Sequence, residues 1–210
     1  MSSLDAPSAR AALLAAMRTL ERGGLVYSSV GCGSVRDGGT IWITPSRVRY
    51  AAMTPADLAA VGLEAPITRA PPAASSELPV HLAIYGTRPD VRAVLHTHSP
   101  CATAWSCLGI PLPAITEDLP YHGLGSIRTS SYAPPGSHRL AREALAALDG
   151  SSAALLARHG VLVAAETLEA AVSAAEAVEQ QAQIAWLLRF EAQLADRPLA
   201  PELRLVARAP

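Results

Sequence analysis

The chain has 210 residues, half of them apolar and 17 % charged, which fits a single domain with a large buried core and excludes a disordered chain. Seventeen basic and eighteen acidic residues give a formal net charge of −1, so nothing electrostatic favours nucleic acid or an anionic membrane, and no run approaches the ~20 apolar residues of a membrane span. All seventeen basic residues are arginines, which excludes any mechanism that needs a Schiff-base lysine.

The N-terminal stretch MSSLDAPSARAALLAAMRTLERGG carries charges inside its apolar run, so it reads as an amphipathic helix rather than a signal peptide. Leu13, Leu14, Met17 and Leu20 recur at helical spacing within 8–22, and Gly23-Gly24 offers a C-cap. LVYSSVGCGSVRDGGTIWITPS predicts two short strands around a glycine-bearing loop, with Asp37-Gly38-Gly39 as the turn. Thr54-Pro55 opens a short helix through Leu58. APITRAPPAASS predicts a loop that ends at an N-cap serine. From Glu77, the residues Leu78, His81, Leu82 and Tyr85 follow a helical period closed by Gly86 and Pro89. VRAVLHTH predicts a strand, 109–136 a loop and 137–148 a helix. AALLARHGVLVAA gives two strands broken at His159-Gly160, and a long helix runs from Thr167 to about Leu194. This alternation within one unit, residues 1–210, predicts an α/β fold with a central sheet covered by helices. Three cysteines, an odd number, make no disulfide framework and suit a reducing cytoplasm.

Two histidines, His96 and His98, close the VRAVLHTH strand. Residues i and i+2 of a strand share a face about 6–7 Å apart, so both imidazoles can bind one cation. Taken alone they can equally be two polar residues where a strand surfaces. His159 ends another apolar run before a glycine that permits a sharp turn; alone, it is a strand-end histidine making a hydrogen bond. Glu77 follows two serines at a helix start, where a carboxylate also suits the positive helix end. Together, three imidazoles and a carboxylate at element ends match a catalytic zinc set with one exchangeable position.

The stretch SSELPVHLAIYGTRPDVRAVLHTHSPCATAWS resembles the core signature of the class II aldolase/adducin family. GSVR, IWITPS, ALLARHGVLVAAETLEAA and the long final helix are similar in the same order, so the resemblance covers roughly residues 8–195. It implies a three-layer fold around a mainly antiparallel sheet. It also implies His96, His98 and His159 as ligands of Zn2+ (Mn2+, Fe2+ and Co2+ being the alternatives), Glu77 as the acid/base, and a homotetramer with sites near subunit boundaries. The reaction implied is cleavage of a carbon–carbon bond in a small hydroxy-carbonyl substrate through a metal-stabilised enediolate. The cation would replace the electron sink that the absent lysine cannot provide.

The chain departs from the family pattern at the anion end. Where the family usually reads G-N-x-S, with the asparagine on a phosphate, this chain has Gly31-Cys32-Gly33-Ser34, which puts Cys32 at the substrate contact. Where TPSG is common, it has Thr44-Pro45-Ser46-Arg47. Ser75, Ser76, Thr44 and Ser46 supply donors for a phosphate or carboxylate, and the Arg47 fork suits a carboxylate unless it is a plain surface arginine. The family's tyrosine proton donor matches Glu117 here, with Tyr121, His122 or a water as substitutes, on a loop that often reaches across a subunit boundary. His81 is expected to be a hydrogen-bonded or packed partner of the site, and His138 a surface residue. The alternatives to aldol cleavage are decarboxylation of a hydroxy acid, epimerisation or dehydration, an iron-dependent oxygenase on the same histidine frame, and a non-catalytic adducin-like module.

Overall fold

The computed structural model describes residues 8–63 and 74–195. Helix α1 (Ala9–Arg22) begins where the Ser8 hydroxyl accepts from the Ala11 N–H and ends at Gly23; its buried stripe is Leu13, Leu14, Met17 and Leu20, the residues whose spacing predicted it. Strands β1 (Cys32–Asp37) and β2 (Thr40–Ile43) form the expected hairpin, whose turn places Gly38 at a φ of 58°. The helix expected from Thr54-Pro55 is a single 3-10 turn, Pro55–Asp57, in which the Asp57 carboxylate accepts from the Thr54 N–H at 2.7 Å. Most of the proline-rich loop expected before Glu77 lies at 64–73, outside the described residues.

Strand β3 (Ala59–Gly62) has no counterpart in the sequence reading. Four residues are too few to show a period, and what holds them extended is pairing with β2. Helix α2 (Leu78–Thr87) and strand β4 (Ala93–Thr97) follow as expected. Of the next two helices, the first lies where no element was assigned from the sequence and the second corrects an assignment. Helix α3 (Pro100–Ser106) opens on Ser99-Pro100, and α4 (Asp118–Tyr121) is one turn inside the segment expected to be loop throughout. Both are shorter than a periodicity argument can detect. Helix α5 (His138–Leu148), strands β5 (Ala153–Leu156) and β6 (Gly160–Ala165), and helix α6 (Leu168–Ala195) match the expected elements.

The six strands form one antiparallel sheet in the order β3-β2-β1-β4-β6-β5. Alternate residues of β4 face opposite layers. Ala93 and Leu95 pack with α1, α3 and α6 through Leu13, Met17, Trp105 and Val178, while Val94 packs with α2 and α5 through Ile84, Leu140 and Ala144. With both faces covered, β4, β5 and β6 are buried along their whole length. That explains why they read as unbroken apolar runs rather than alternating ones. Among the described residues no helix is long and apolar enough to cross a membrane.

Long-range hydrogen bonds fasten α3 to α6. The buried Glu179 carboxylate on α6 accepts from the N–H groups of Cys101 at 3.1 Å and Ala102 at 2.9 Å, in the first turn of α3. Those N–H groups have no partner within their own helix, and an anion suits that helix end. The Trp186 indole N–H donates to the Cys101 carbonyl at 3.0 Å. The segment that starts right after His98 is thereby held at two points.

Candidate metal centre

The register of the central strands brings three chain segments to one end of the sheet. Cys32 pairs with His96 across β1 and β4, and His96 pairs with Leu162 across β4 and β6. The β5–β6 hairpin closes at Leu156 and Gly160, leaving His159 in its turn. His98 is not on the strand, as the i, i+2 reading assumed: β4 ends at Thr97, and the His98 N–H leaves the sheet to donate to the Leu25 carbonyl at 3.0 Å. The two imidazoles converge all the same, as binding of one cation requires. Nε2 of His96 lies 3.0 Å from Nε2 of His98 and 3.3 Å from Nε2 of His159, and one ligand nitrogen from each ring lies within 4.8 Å of the others. Zn–N bonds of ~2.05 Å at tetrahedral angles place nitrogens ~3.3 Å apart, so the trio fits a zinc ion.

Two glycines make room for His96. A β-carbon on Gly160 would collide with the Thr97 carbonyl and lie 3.2 Å from the His96 ring; one on Gly31, whose φ is 86°, would lie 2.7 Å from the His96 carbonyl oxygen. The His96 Nδ1 N–H donates to the Val161 carbonyl at 2.9 Å, which fixes the tautomer and leaves Nε2 with a bare lone pair. Burial lowers the pKa of all three histidines from the ordinary value, His96 far below it and His98 to about 4. The three rings are therefore neutral near pH 7 and ready to donate electron pairs.

The histidines border a cleft of about 550 Å³, and Glu77 lines the same cleft. Glu77 occupies the cap position of α2 without capping it. This corrects the expected N-cap serine: the Ser75 hydroxyl accepts from the Glu77 N–H at 3.2 Å instead. The Glu77 side chain is 7 % exposed and its Oε2 has no hydrogen-bond partner among the described residues. Burial raises its pKa to about 7, against the opposing effect of the Gly136 N–H.

The remaining candidates divide. Cys32, Ser46, Arg47, Ser75 and Ser76 line the cleft. Thr44 is buried and does not line the cleft; its hydroxyl accepts from the Gly33 N–H at 3.2 Å and braces β1. Glu117 and Tyr121 do not line the cleft of their own chain. They flank α4, which packs against α6, and Tyr121 is 85 % exposed with its ring edge-on to His122. His138 is exposed at the start of α5, as expected. Ser29, Val30 and Pro135 line the cleft without having been singled out, and none of them left a signal in the sequence.

His81 is packed, not a ligand. It is fully buried on α2, with Nδ1 2.7 Å from Ser34 Oγ and Nε2 3.2 Å from Cys32 Sγ, and burial lowers its pKa to about 3. Burial likewise pushes the Cys32 thiol up to about 12, so this pair is neutral on both sides. An unfolded chain protonates His81 below pH ~6.5 while the folded one does not, so stability falls as pH drops from there toward 3. Each such group costs about 2 kcal/mol at pH 5 relative to neutral pH. In chelator-treated protein, His81→Gln should shrink the loss of unfolding free energy between pH 7.5 and 5 by about that amount. Urea titrations at the two pH values measure it, and an unchanged difference would show that His81 titrates normally.

The sequence profile of the Class II Aldolase and Adducin N-terminal domain matches residues 11–186. The chain is 40 % identical over 177 residues to a 5-methylthioribulose-1-phosphate/5-deoxyribulose-1-phosphate aldolase from Rhodospirillum rubrum, covering 84 % of this chain and 80 % of that protein. It is 34 % identical to a 5-deoxy-D-ribulose 1-phosphate aldolase from Bacillus thuringiensis, covering 71 % of this chain and 70 % of that protein. Among solved structures, an L-fuculose 1-phosphate aldolase superposes with a TM-score of 0.82 at 31 % identity, over 98 % of each chain.

Proposed function

The chain belongs to the class II aldolase and adducin N-terminal domain family, and on that premise we propose that this carbon–carbon lyase cleaves a ketose 1-phosphate at a zinc held by His96, His98 and His159. The observation that carries the reading is the meeting of three neutral imidazole nitrogens at a cleft that also holds Glu77. Similarity to relatives that act on 5-deoxyribulose 1-phosphate supports the substrate class. Mn2+, Fe2+ or Co2+ also suit three imidazoles, and zinc is preferred for its tetrahedral habit.

A divalent cation bound there supplies a Lewis acid for the negative charge that bond cleavage leaves on the substrate's oxygens. The imidazoles fix its position, and Glu77 handles the proton. As the C3–C4 bond breaks, the C4 hydroxyl loses its proton and becomes the aldehyde carbonyl, while C3 takes a proton from Glu77. Burial raises the Glu77 pKa to about 7 in the metal-free chain and it falls from there beside a bound cation, a balance that suits a carboxyl giving this proton in cleavage and taking it in the reverse reaction. Arg47, Ser75 and Ser76 hold the substrate's anionic end, with Cys32 and Ser46 lining the cleft beside them.

The group that receives the C4 proton comes from a second copy of the chain. Glu117 and Tyr121 stay candidates only in that setting, because they lie away from their own cleft. A homotetramer meets the requirement, and the exposed Leu187 and Phe190 near the end of α6 give such an assembly an apolar contact. We take residues 1–210 as one domain of a cytoplasmic enzyme, a compartment that suits its three free cysteines. Decarboxylation of a hydroxy acid is the second reading, favoured by Arg47 in the cleft.

The test is product identity. Zinc-loaded protein given 5-deoxyribulose 1-phosphate should release dihydroxyacetone phosphate and acetaldehyde in equal amounts, stop on chelation and resume when zinc is restored. No cleavage of any ketose 1-phosphate, with CO2 released from a hydroxy acid, would replace this reading with the second.

A further inference from the structure

Among the hydroxyls around the cleft, that of Ser46 is fully committed to its own loop. Ser46 Oγ donates to the Ala74 carbonyl at 3.2 Å and accepts from the Ser76 N–H at 3.1 Å. A hydroxyl has one proton, so Ser46 has none left for a ligand. Ser75 Oγ already accepts from the Glu77 N–H, and Thr44 is turned away into the sheet.

Arg47, unlike Ser46, is uncommitted, and it carries a charge. It is exposed, it lines the cleft, and among the described residues it makes no hydrogen bond or ion pair. It is also the one lysine or arginine among the described residues that line this cleft. Glu77 is the one acidic side chain among the described residues that line the cleft, so positive charge for a dianionic substrate comes from Arg47 and the cation. Its backbone stands at a φ of 64°, a region that glycine adopts freely and a β-carbon disfavours. Strain of this kind persists where a site uses the side chain that bears it.

We infer that Arg47 selects the substrate's phosphate, holding two of its oxygens with the guanidinium fork; this rests on the reading of the substrate as a ketose 1-phosphate. The fork adds to what Ser75 and Ser76 can donate and stands in for the proton that Ser46 spends on its own loop. Arg47 is then the residue that sets specificity for a dianion over a neutral sugar.

The experiment measures binding of inorganic phosphate, and of glycolate as a carboxylate comparator, to zinc-loaded wild type, Arg47→Gly and Arg47→Lys by calorimetry. Arg47→Gly should bind phosphate at least ~10-fold more weakly, as expected for the loss of charge-assisted hydrogen bonds. Its zinc content should match wild type, and its unfolding midpoint should not fall, because glycine accepts the left-handed backbone without strain. Arg47→Lys should be intermediate, keeping the charge without the fork. Undiminished phosphate binding by folded, zinc-loaded Arg47→Gly would overturn the inference, and so would loss of glycolate affinity alone. If wild type cleaves no ketose 1-phosphate but Arg47→Gly still loses phosphate, the substrate reading fails and the role of Arg47 stands.

Discussion

Replacing His96 by alanine is expected to cost the protein its metal and its turnover together. His96 is central to the trio: its Nε2 is the atom from which both 3.0 and 3.3 Å separations are measured, and the Val161 carbonyl fixes its tautomer. Residues that merely orient a metal ligand are worth 10–100-fold in affinity, so losing a ligand should weaken zinc binding by more than about 100-fold and lower activity by about 1000-fold or more. The substitution also leaves the Val161 carbonyl without the imidazole N–H, at a cost of about 1–3 kcal/mol. His98→Ala separates the two effects, because His98 is half-buried and its side chain bonds no backbone group. Both variants should lose zinc by elemental analysis after dialysis, and His98→Ala should melt closer to wild type. Retention of one zinc per chain in both would mean that the ion is held elsewhere.

Glu77→Gln should have nearly as large an effect on turnover and none on metal content. The amide has the same shape but cannot exchange a proton at neutral pH, and a positioned acid/base contributes about 100- to 10,000-fold. Folding should not suffer. A carboxyl whose pKa is raised by burial from 4.5 to about 7 binds its proton more tightly when folded, so its burial opposes folding at higher pH and is relieved as pH falls. Removing that charge should leave metal-free Glu77→Gln at least as stable as wild type at pH 8, and the two should converge toward pH 5. Steady-state kinetics, zinc analysis and melting curves together decide it. Near-normal kcat in the variant would remove Glu77 from the proton-transfer role.

The elements long enough to show a period were legible in the sequence. Helix α1 announced its buried stripe through Leu13, Met17 and Leu20, and β4 and β6 appeared as apolar runs because helices cover both faces of the sheet. β3, α3 and α4 span four to seven residues and carry no period; β3 is held by pairing with β2, and α3 by Glu179 and Trp186 more than seventy residues away. The residues that meet at the cleft, His96, His98, His159 and Glu77, were legible as residue types, because the metal binding and proton transfer proposed for them draw on few side chains.

What the sequence determined by itself, then, was the alternation of helices and strands, the absence of any lysine mechanism, and the set of groups able to hold a cation. Tertiary structure decided which of them meet. It turned His98 off the strand toward His96, withdrew Thr44 into the sheet, kept Glu117 and Tyr121 away from their own cleft and left Arg47 strained on its rim. The physical reason is that local preferences extend over a few residues, whereas the distance between two side chains depends on strand register, close approach at Gly31 and Gly160, and bonds between elements far apart in the chain.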